Sequence, residues 1–242
     1  MFAEMSEGYK ALNFNDPHVD FSKTVTAFLA RFDAIYTLNQ DTLIEQKFDG
    51  SLSKRLITLP GIKSAKERLT GGRGLYPLYT PDQPSSFTVQ QQSLPYIKLH
   101  GSIDWIYGDR ELLLILGGNK EENIRKLPLL RWYHDGLFRA DLRKPNTRLM
   151  IIGYSFSDNH INKEILNAIT QSDLRLFIID PKGVDVLDNR DPETVARASV
   201  SLPPTELMEQ LSPRVIGASK RPLTTTFGGD LVEHAKVMRF FG

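Results

Sequence analysis

Three polar clusters stand at the ends of apolar runs: Asn39 and Asp41 in "IYTLNQD", His100, Gly101 and Ser102 in "YIKLHGS", and Gly153, Ser155 and Ser157 in "LMIIGYSFS". A carboxylate, Asp180, closes a fourth run, "LRLFIID". An imidazole that titrates near neutrality can take a proton from a sugar hydroxyl, and an amide can hold that hydroxyl or an attacking water. A carboxylate at a strand end suits a ribose, and a glycine ahead of a helix lets a phosphate approach the helix's first amides. Converging over one crevice, these groups could hold a dinucleotide and cleave a glycosidic bond through a cation-like transition state. Each also has a plainer reading. Asn39 is then a turn residue, Asp41 a helix N-cap, His100 a satisfied half-buried imidazole, "GYS" a tight turn, and the "DP" at Asp180 the start of another.

The surrounding pattern predicts elements that deliver these turns. "DFSKTVTAFLARF" repeats apolar residues at Val25, Phe28, Leu29 and Phe32 after a cap at Ser22, which suits a helix. "DAIYTLN" is short, β-branched and aromatic, a buried strand by composition, and "DTLIEQKF" returns to helical spacing. A strand at 96–99 precedes the turn at His100–Ser102, and a hairpin carries Trp105 into "ELLLIL". The clearest unit is a strand at 149–152, a helix capped by Ser157 or Asp158 with Ile161, Ile165, Leu166 and Ile169 on one side, and a strand at 174–179. Strand, helix, strand over so short a span predicts a βαβ unit with parallel strands. Residues 50–95, rich in Gly, Pro, Ser and Gln, read as an irregular insertion, and residues 117–142 as mostly helical with Leu130, Tyr133, Leu137 and Phe138 on a buried side. Two more helices are expected in "PPTELMEQ" and "DLVEHAKVMRFF". The expected fold class is α/β: one domain over 1–242, a Rossmann-like parallel sheet with helices on both faces.

Bulk properties narrow the function. Thirty Lys and Arg against 29 Asp and Glu give a net charge of +1 without a one-signed block, so no direct nucleic-acid binding is expected. The densest basic stretch, Arg139, Arg143, Lys144 and Arg148, either touches phosphate or solvates a helix end. With no cysteine there is no thiol nucleophile, disulfide or Cys-type zinc site, and no apolar run approaches the ~20 residues of a membrane span. A cytoplasmic location is expected, without membrane association. Trp105, Trp132 and Tyr133 read as core, His160 as structural, and His18, His134 and His234 have no partners at metal-ligand intervals, so no metal is expected.

"YTLNQDTLIE", "IKLHGSIDW", "LMIIGYSFSDNHIN" and "LFIIDP", in that order, resemble the sirtuin-like (SIR2-like) NAD-binding domains, particularly the bacterial branch attached to anti-phage defence systems. The resemblance implies that Asn39 matches the asparagine needed for NAD cleavage and His100 the catalytic histidine. It gives Asp41 to the nicotinamide end, Gly101 and Ser102 beside the histidine to cofactor binding, Gly153 and Ser155 to the phosphate and ribose loop, and Asp180 to the adenosine side. The implied activity is NAD+ glycohydrolysis to nicotinamide and ADP-ribose, with NAD as substrate or ligand and no zinc. A non-catalytic NAD or ADP-ribose sensor is the alternative, with protein deacylase or ADP-ribosyltransferase behind it. Implied partners are further copies of the chain or a defence component such as an ATPase or nuclease. The chain departs from the family's pattern in three places. It lacks the zinc-holding cysteines of deacylating sirtuins, which favours hydrolysis. Leu38 stands where a polar residue usually precedes the asparagine. Nothing between Met1 and Asn39 resembles the family's opening apolar strand and "GAGxS"-like loop, so the expectation is that this segment lies outside the given sequence or is replaced by another strand or chain.

Overall fold

The computed structural model describes residues 12–71, 74–190, 193 and 203–242. They form a mixed α/β architecture with parallel and antiparallel sheets and flanking helices. Phe14–Phe138 make one compact unit, and Arg139–Gly242 form the body of a second. No described helix is long and apolar enough to cross a membrane.

In the first unit, α1 (Val25–Leu29) buries Val25, Phe28 and Leu29, and the Thr24 hydroxyl accepts from the Ala27 amide at its start. The cap is therefore Thr24 rather than Ser22, which sits in the preceding 3-10 turn. Strand β1 (Ile35–Thr37) follows, then α2 (Leu43–Lys47), then β2 (Ile57–Thr58). Arg55 ties these pieces together: Nη1 donates to the Ala30 and Phe32 carbonyls, each at 2.7 Å, and Nη2 to the Ser93 carbonyl at 2.9 Å. It thereby satisfies carbonyls at the end of α1 that the helix leaves unpaired.

Residues 50–95, expected to be irregular, instead carry an antiparallel ribbon of β3 (Ile62–Gly71) and β4 (Gly74–Pro81). Within the ribbon, Gly71 and Gly74 pair at one end, Pro81 lies at the other, and Pro77 stands at the register shift opposite Arg68. Strand β5 (Leu94–Lys98), buried at every residue, pairs in parallel with β1 on one side and β2 on the other. β6 (Gly101–Tyr107) and β7 (Glu111–Leu114) form the expected hairpin and extend the β3–β4 ribbon to four strands.

Helices α3 (Lys120–Lys126) and α4 (Pro128–Arg131) lead into a π-helical turn, Trp132–Phe138. Leu130, Tyr133 and Phe138 are buried as expected, whereas Leu137 is half-buried. Trp105 and Tyr133 are core residues with no exposure, and the Tyr133 hydroxyl donates to the Pro60 carbonyl at 2.5 Å. Trp132 is half-buried and stacks on Phe87.

The second unit contains the βαβ arrangement read from the sequence: β8 (Arg148–Ile152), α5 (Asn159–Gln171) and β9 (Arg175–Ile179), the strands parallel and in register from Arg148↔Arg175 to Ile152↔Ile179. Ile161, Ile165 and Ile169 are the buried stripe of α5, and Leu166 is half-buried. A third parallel strand, β10 (Val215–Ser219), pairs with the other edge of β9, so Leu176, Phe177, Ile178 and Ile179 are all buried. The sequence reading missed β10 because "VIGAS" is short and interrupted by glycine. The tail also holds α6 (Glu206–Leu211), capped by Thr205, and α7 (Leu231–Met238), capped by Asp230.

The expected single parallel sheet is therefore three hydrogen-bonded sheets, two parallel and one mostly antiparallel. The expectation about the chain ahead of Asn39 falls partly on residues 1–11, outside the described residues, and residues 12–20 contain turns and no strand. Because β9 is the central strand of its sheet, truncating its side chains should be costly. Leu176→Ala is expected to lose about 2–5 kcal/mol of unfolding free energy, read from the urea midpoint.

Candidate functional site

Parallel pairing in register decides where the polar turns emerge. Thr37, the last residue of β1, lies opposite Lys98, the last of β5, and the Leu99 amide donates to the Thr37 carbonyl at 2.9 Å. Asn39 and His100 each follow two residues later, so the structure brings these two turns out at the carboxyl ends of neighbouring strands, where open α/β sheets bind ligands.

The Asn39–Asp41 turn is pinned at successive residues. The Asn39 amide donates to the Thr37 hydroxyl at 3.0 Å. The Gln40 side chain donates to the Ile115 carbonyl at 2.8 Å, and the Gln40 carbonyl accepts from the Ile103 amide at 3.0 Å. Asp41 Oδ1 accepts from the Leu43 amide at 2.9 Å, one residue ahead of the helix's own N-cap position, Thr42. Asp41 thus performs the helix-start role its plainer reading gives it, and it remains half-buried. Asn39 is exposed.

His100 is buried at 3 % exposure. Gly101 makes its position possible: φ is +77°, and a Cβ there would stand 2.0 Å from the Leu113 carbonyl oxygen, so a side chain cannot coexist with the β6–β7 pairing. Ser102 has no exposure, and its hydroxyl donates to Asp104 Oδ1 at 2.5 Å while lying 3.3 Å from the Gln40 carbonyl. It holds the two turns together.

Sequence reasoning missed several residues here. His134, set aside for want of a metal-ligand interval, is buried with its ring stacked 6.5 Å from that of His100, and Nε2 donates to the Leu99 carbonyl at 2.9 Å. It sits in the π-helical turn, a conformation common at functional sites and unpredictable from periodicity. Lys98 is fully buried and pairs with Glu45 at 2.8 Å. A lysine inside the otherwise apolar run "LPYIKL" was the available signal, since lysine is almost never fully buried unless paired. Burial raises the Glu45 carboxyl above its ordinary range, and the neighbouring Lys98 ammonium only partly offsets this.

In the second unit, Gly153 and Asp180 follow β8 and β9 at the same end of their sheet, joined by the Gly153 amide donating to the Ile179 carbonyl at 2.9 Å. Gly153 adopts φ +61° with nothing within 4 Å of where a Cβ would stand, room for close approach to its backbone. Ser155 and Ser157 are exposed, their hydroxyls 2.9 Å apart. Phe156 between them is buried yet left-handed at φ +55°, an uncommon backbone for a non-glycine residue. Its carbonyl accepts from Asn162 Nδ2 at 2.7 Å and Asn189 Nδ2 at 3.0 Å. The Tyr154 phenol, pushed up by burial and then by the charge of Asp158, stays protonated and donates to Asn162 Oδ1 at 2.8 Å. This hydrogen-bonded loop precedes the 13-residue helix α5, whose N-cap Asp158 makes no side-chain cap bond. Asp180 Oδ1 accepts from the Lys182 amide at 2.8 Å, the turn its plainer reading describes.

Three of the four residues of the basic stretch have partners within the chain. Arg139 makes a bidentate pair with Glu164 at 2.7 and 2.8 Å, Lys144 pairs with Asp141, and Arg148 donates to the Phe240 carbonyl.

The SIR2-like domain family matches residues 33–201 of this sequence. The chain belongs to that family. No curated protein matches it. Membership in the SIR2-like family associates the chain with NAD-related activity, enzymatic or binding. The match spans all the polar turns described above, from Asn39 to Asp180.

Two outcomes follow for this SIR2-like domain. Gly101→Ala is expected to cost roughly 3 kcal/mol or more, since left-handed strain and a backbone clash add, and a denaturant midpoint close to wild type would contradict that geometry. The second concerns pH. With Glu45 raised above its ordinary 4.5, the folded state binds the proton more tightly than the unfolded state, so the contribution is fully present below 4.5 and is lost as pH rises through the folded value. The stability difference between wild type and Glu45→Gln should therefore fall as pH is raised from about 4 toward neutrality. A difference that stays flat across that range would show that the carboxyl is not shifted.

Proposed function

We propose that this SIR2-like domain is an NAD+ glycohydrolase that cleaves the nicotinamide N-glycosidic bond to give nicotinamide and ADP-ribose. The observation that carries the reading is the emergence of Asn39 and His100 from the carboxyl ends of adjacent, in-register parallel strands in a chain of this family. The parallel sheets belong, in this reading, to a Rossmann-like fold with helices covering its faces.

Each unit carries groups of the kind such a ligand needs. The open backbone at Gly153 and the first amides of α5 suit a pyrophosphate. Ser155 and Asp180 supply hydroxyl and carboxylate partners for ribose oxygens, and Asp41 supports the nicotinamide end. His100 takes a proton from a ribose hydroxyl or from water, and Asn39 holds the ribose and the incoming water. The glycosidic carbon–nitrogen bond breaks with its electron pair leaving on nicotinamide. Water then adds to the ribose carbon and loses a proton. Stabilising positive charge on the ribose is the main requirement, and fixed dipoles and carboxylates do this without reorganisation. A sequence without cysteine has no thiolate for zinc, which favours hydrolysis over the deacylation of zinc-bearing sirtuins.

Resemblance to the defence-linked branch extends the proposal to anti-phage defence, in the cytoplasm, with other copies of the chain or an ATPase or nuclease as partner. Nicotinamide release from NAD+ tests the chemistry. Wild type is expected to release free nicotinamide with no modified acceptor protein, and Asn39→Ala or His100→Ala to lose about 10²–10⁴-fold in kcat/KM. NAD+ binding by wild type without nicotinamide release would replace the hydrolase with a non-catalytic NAD or ADP-ribose sensor.

A further inference from the structure

Lys98 has no exposed side chain, and its ammonium is held by two acceptors on one short segment: the Asp41 carbonyl and Glu45 Oε1, the latter at 2.8 Å. The Tyr96 ring lies 5.8 Å away. Burying an ammonium and a carboxylate carries a desolvation cost that the pair's attraction often fails to recover, so an apolar side chain of similar volume would serve the core at least as well. Fold stability therefore does not account for a lysine here. An apolar side chain cannot grip a backbone carbonyl.

The geometry of that grip is specific. Lys98 is the last residue of β5, two before His100, and Asp41 is two after Asn39. One cation thus joins the strand that presents the imidazole to the turn that presents the amide. Other restraints on this turn, from Gln40 to Ile115 and from Ile103 and Ser102 to Gln40, act on its neighbouring residue and toward β6 and β7. Among the described residues, Lys98 is the side chain of β5 that bonds to Asp41. Glu45 supplies the counter-charge from α2, although its second oxygen is buried without a partner among the described residues.

We propose that Lys98 is a positioning residue: it clamps the Asp41 carbonyl and so fixes the spacing of Asn39 from His100. The idea rests on the reading of those two residues as the reacting pair in NAD+ cleavage. Small displacements at a reacting centre have large rate effects, on the order of 10²-fold for 1 Å, and leave distant binding contacts intact.

The test compares full-length wild type, Glu45→Gln and the double variant Lys98→Met with Glu45→Gln, which removes both charges together. Three readouts are taken: the urea midpoint, amide hydrogen exchange resolved by segment, and kcat and KM for nicotinamide release. The double variant is expected to fold with a midpoint near wild type and to exchange faster at 39–45 while β9 is unchanged. Its kcat should fall about tenfold or more, with KM within about threefold. Glu45→Gln, which keeps an acceptor for the lysine but leaves its buried charge uncompensated, should lower the urea midpoint yet keep near-wild-type kcat. A double variant with wild-type exchange at 39–45 overturns the proposal whatever the activity, and so does one with loosened exchange but undiminished kcat. Loss of folding in the double variant also overturns it, by assigning Lys98 to the fold. If wild type releases no nicotinamide, the hydrolase reading fails by itself, and exchange at 39–45 still decides whether the clamp exists.

Discussion

In-register pairing of parallel strands is the constraint on which the rest of the molecule depends. A parallel pair must send both chains out at the same end, and register fixes how nearly level the exits are. Here Thr37 faces Lys98 in one unit, and Ile152 faces Ile179 in the other. Asn39 and His100 emerge together for that reason, as do Gly153 and Asp180. A slip of one residue would turn every side chain of a strand to its opposite face and remove these coincidences. All five β5 residues and four in β9 are buried on both faces, so such a slip would require repacking on both sides.

Once the exits are level, the polar cost of the site is met by hydrogen bonds within the turns. The residues beside the exposed Asn39 spend their polar atoms on structure: Gln40 on Ile115, Asp41 on Leu43, and Ser102 on Asp104. In the second unit, Asn162 and Asn189 hold the carbonyl of a left-handed Phe156, and Tyr154 holds Asn162. Buried polar groups are costly unless paired, and networks of this kind rigidify what they enclose. Each loop is therefore held in place by hydrogen bonds from the chain itself.

The π-helical turn shows the same logic applied to a helix. Trp132–Phe138 gives up regular α-geometry, and in doing so places the His134 ring beside that of His100 while its nitrogen reaches the Leu99 carbonyl. The backbone on both sides of the candidate histidine is thereby fixed: Leu99 by His134 and by Thr37, and Gly101 by a conformation that excludes any other residue.

Local elements with strong period, and the residue types at their ends, can be read from the chain before it folds. The βαβ unit of β8, α5 and β9 was legible because each element is long enough to show its own pattern. The polar turns at Asn39, His100 and Gly153 were legible because an apolar run that stops abruptly marks a strand exit. Other features depend on contacts between distant segments. The β3–β4 ribbon looked irregular because its stabilisation comes from cross-strand pairing rather than alternation within a strand. β10 went unseen because its five residues gain their strand character from pairing with β9. Lys98, Glu45 and His134 acquired meaning only when sequence-distant segments were brought within hydrogen-bond distance. A charge in an apolar run tells of a burial cost, but the partner that offsets it is a fact of three dimensions.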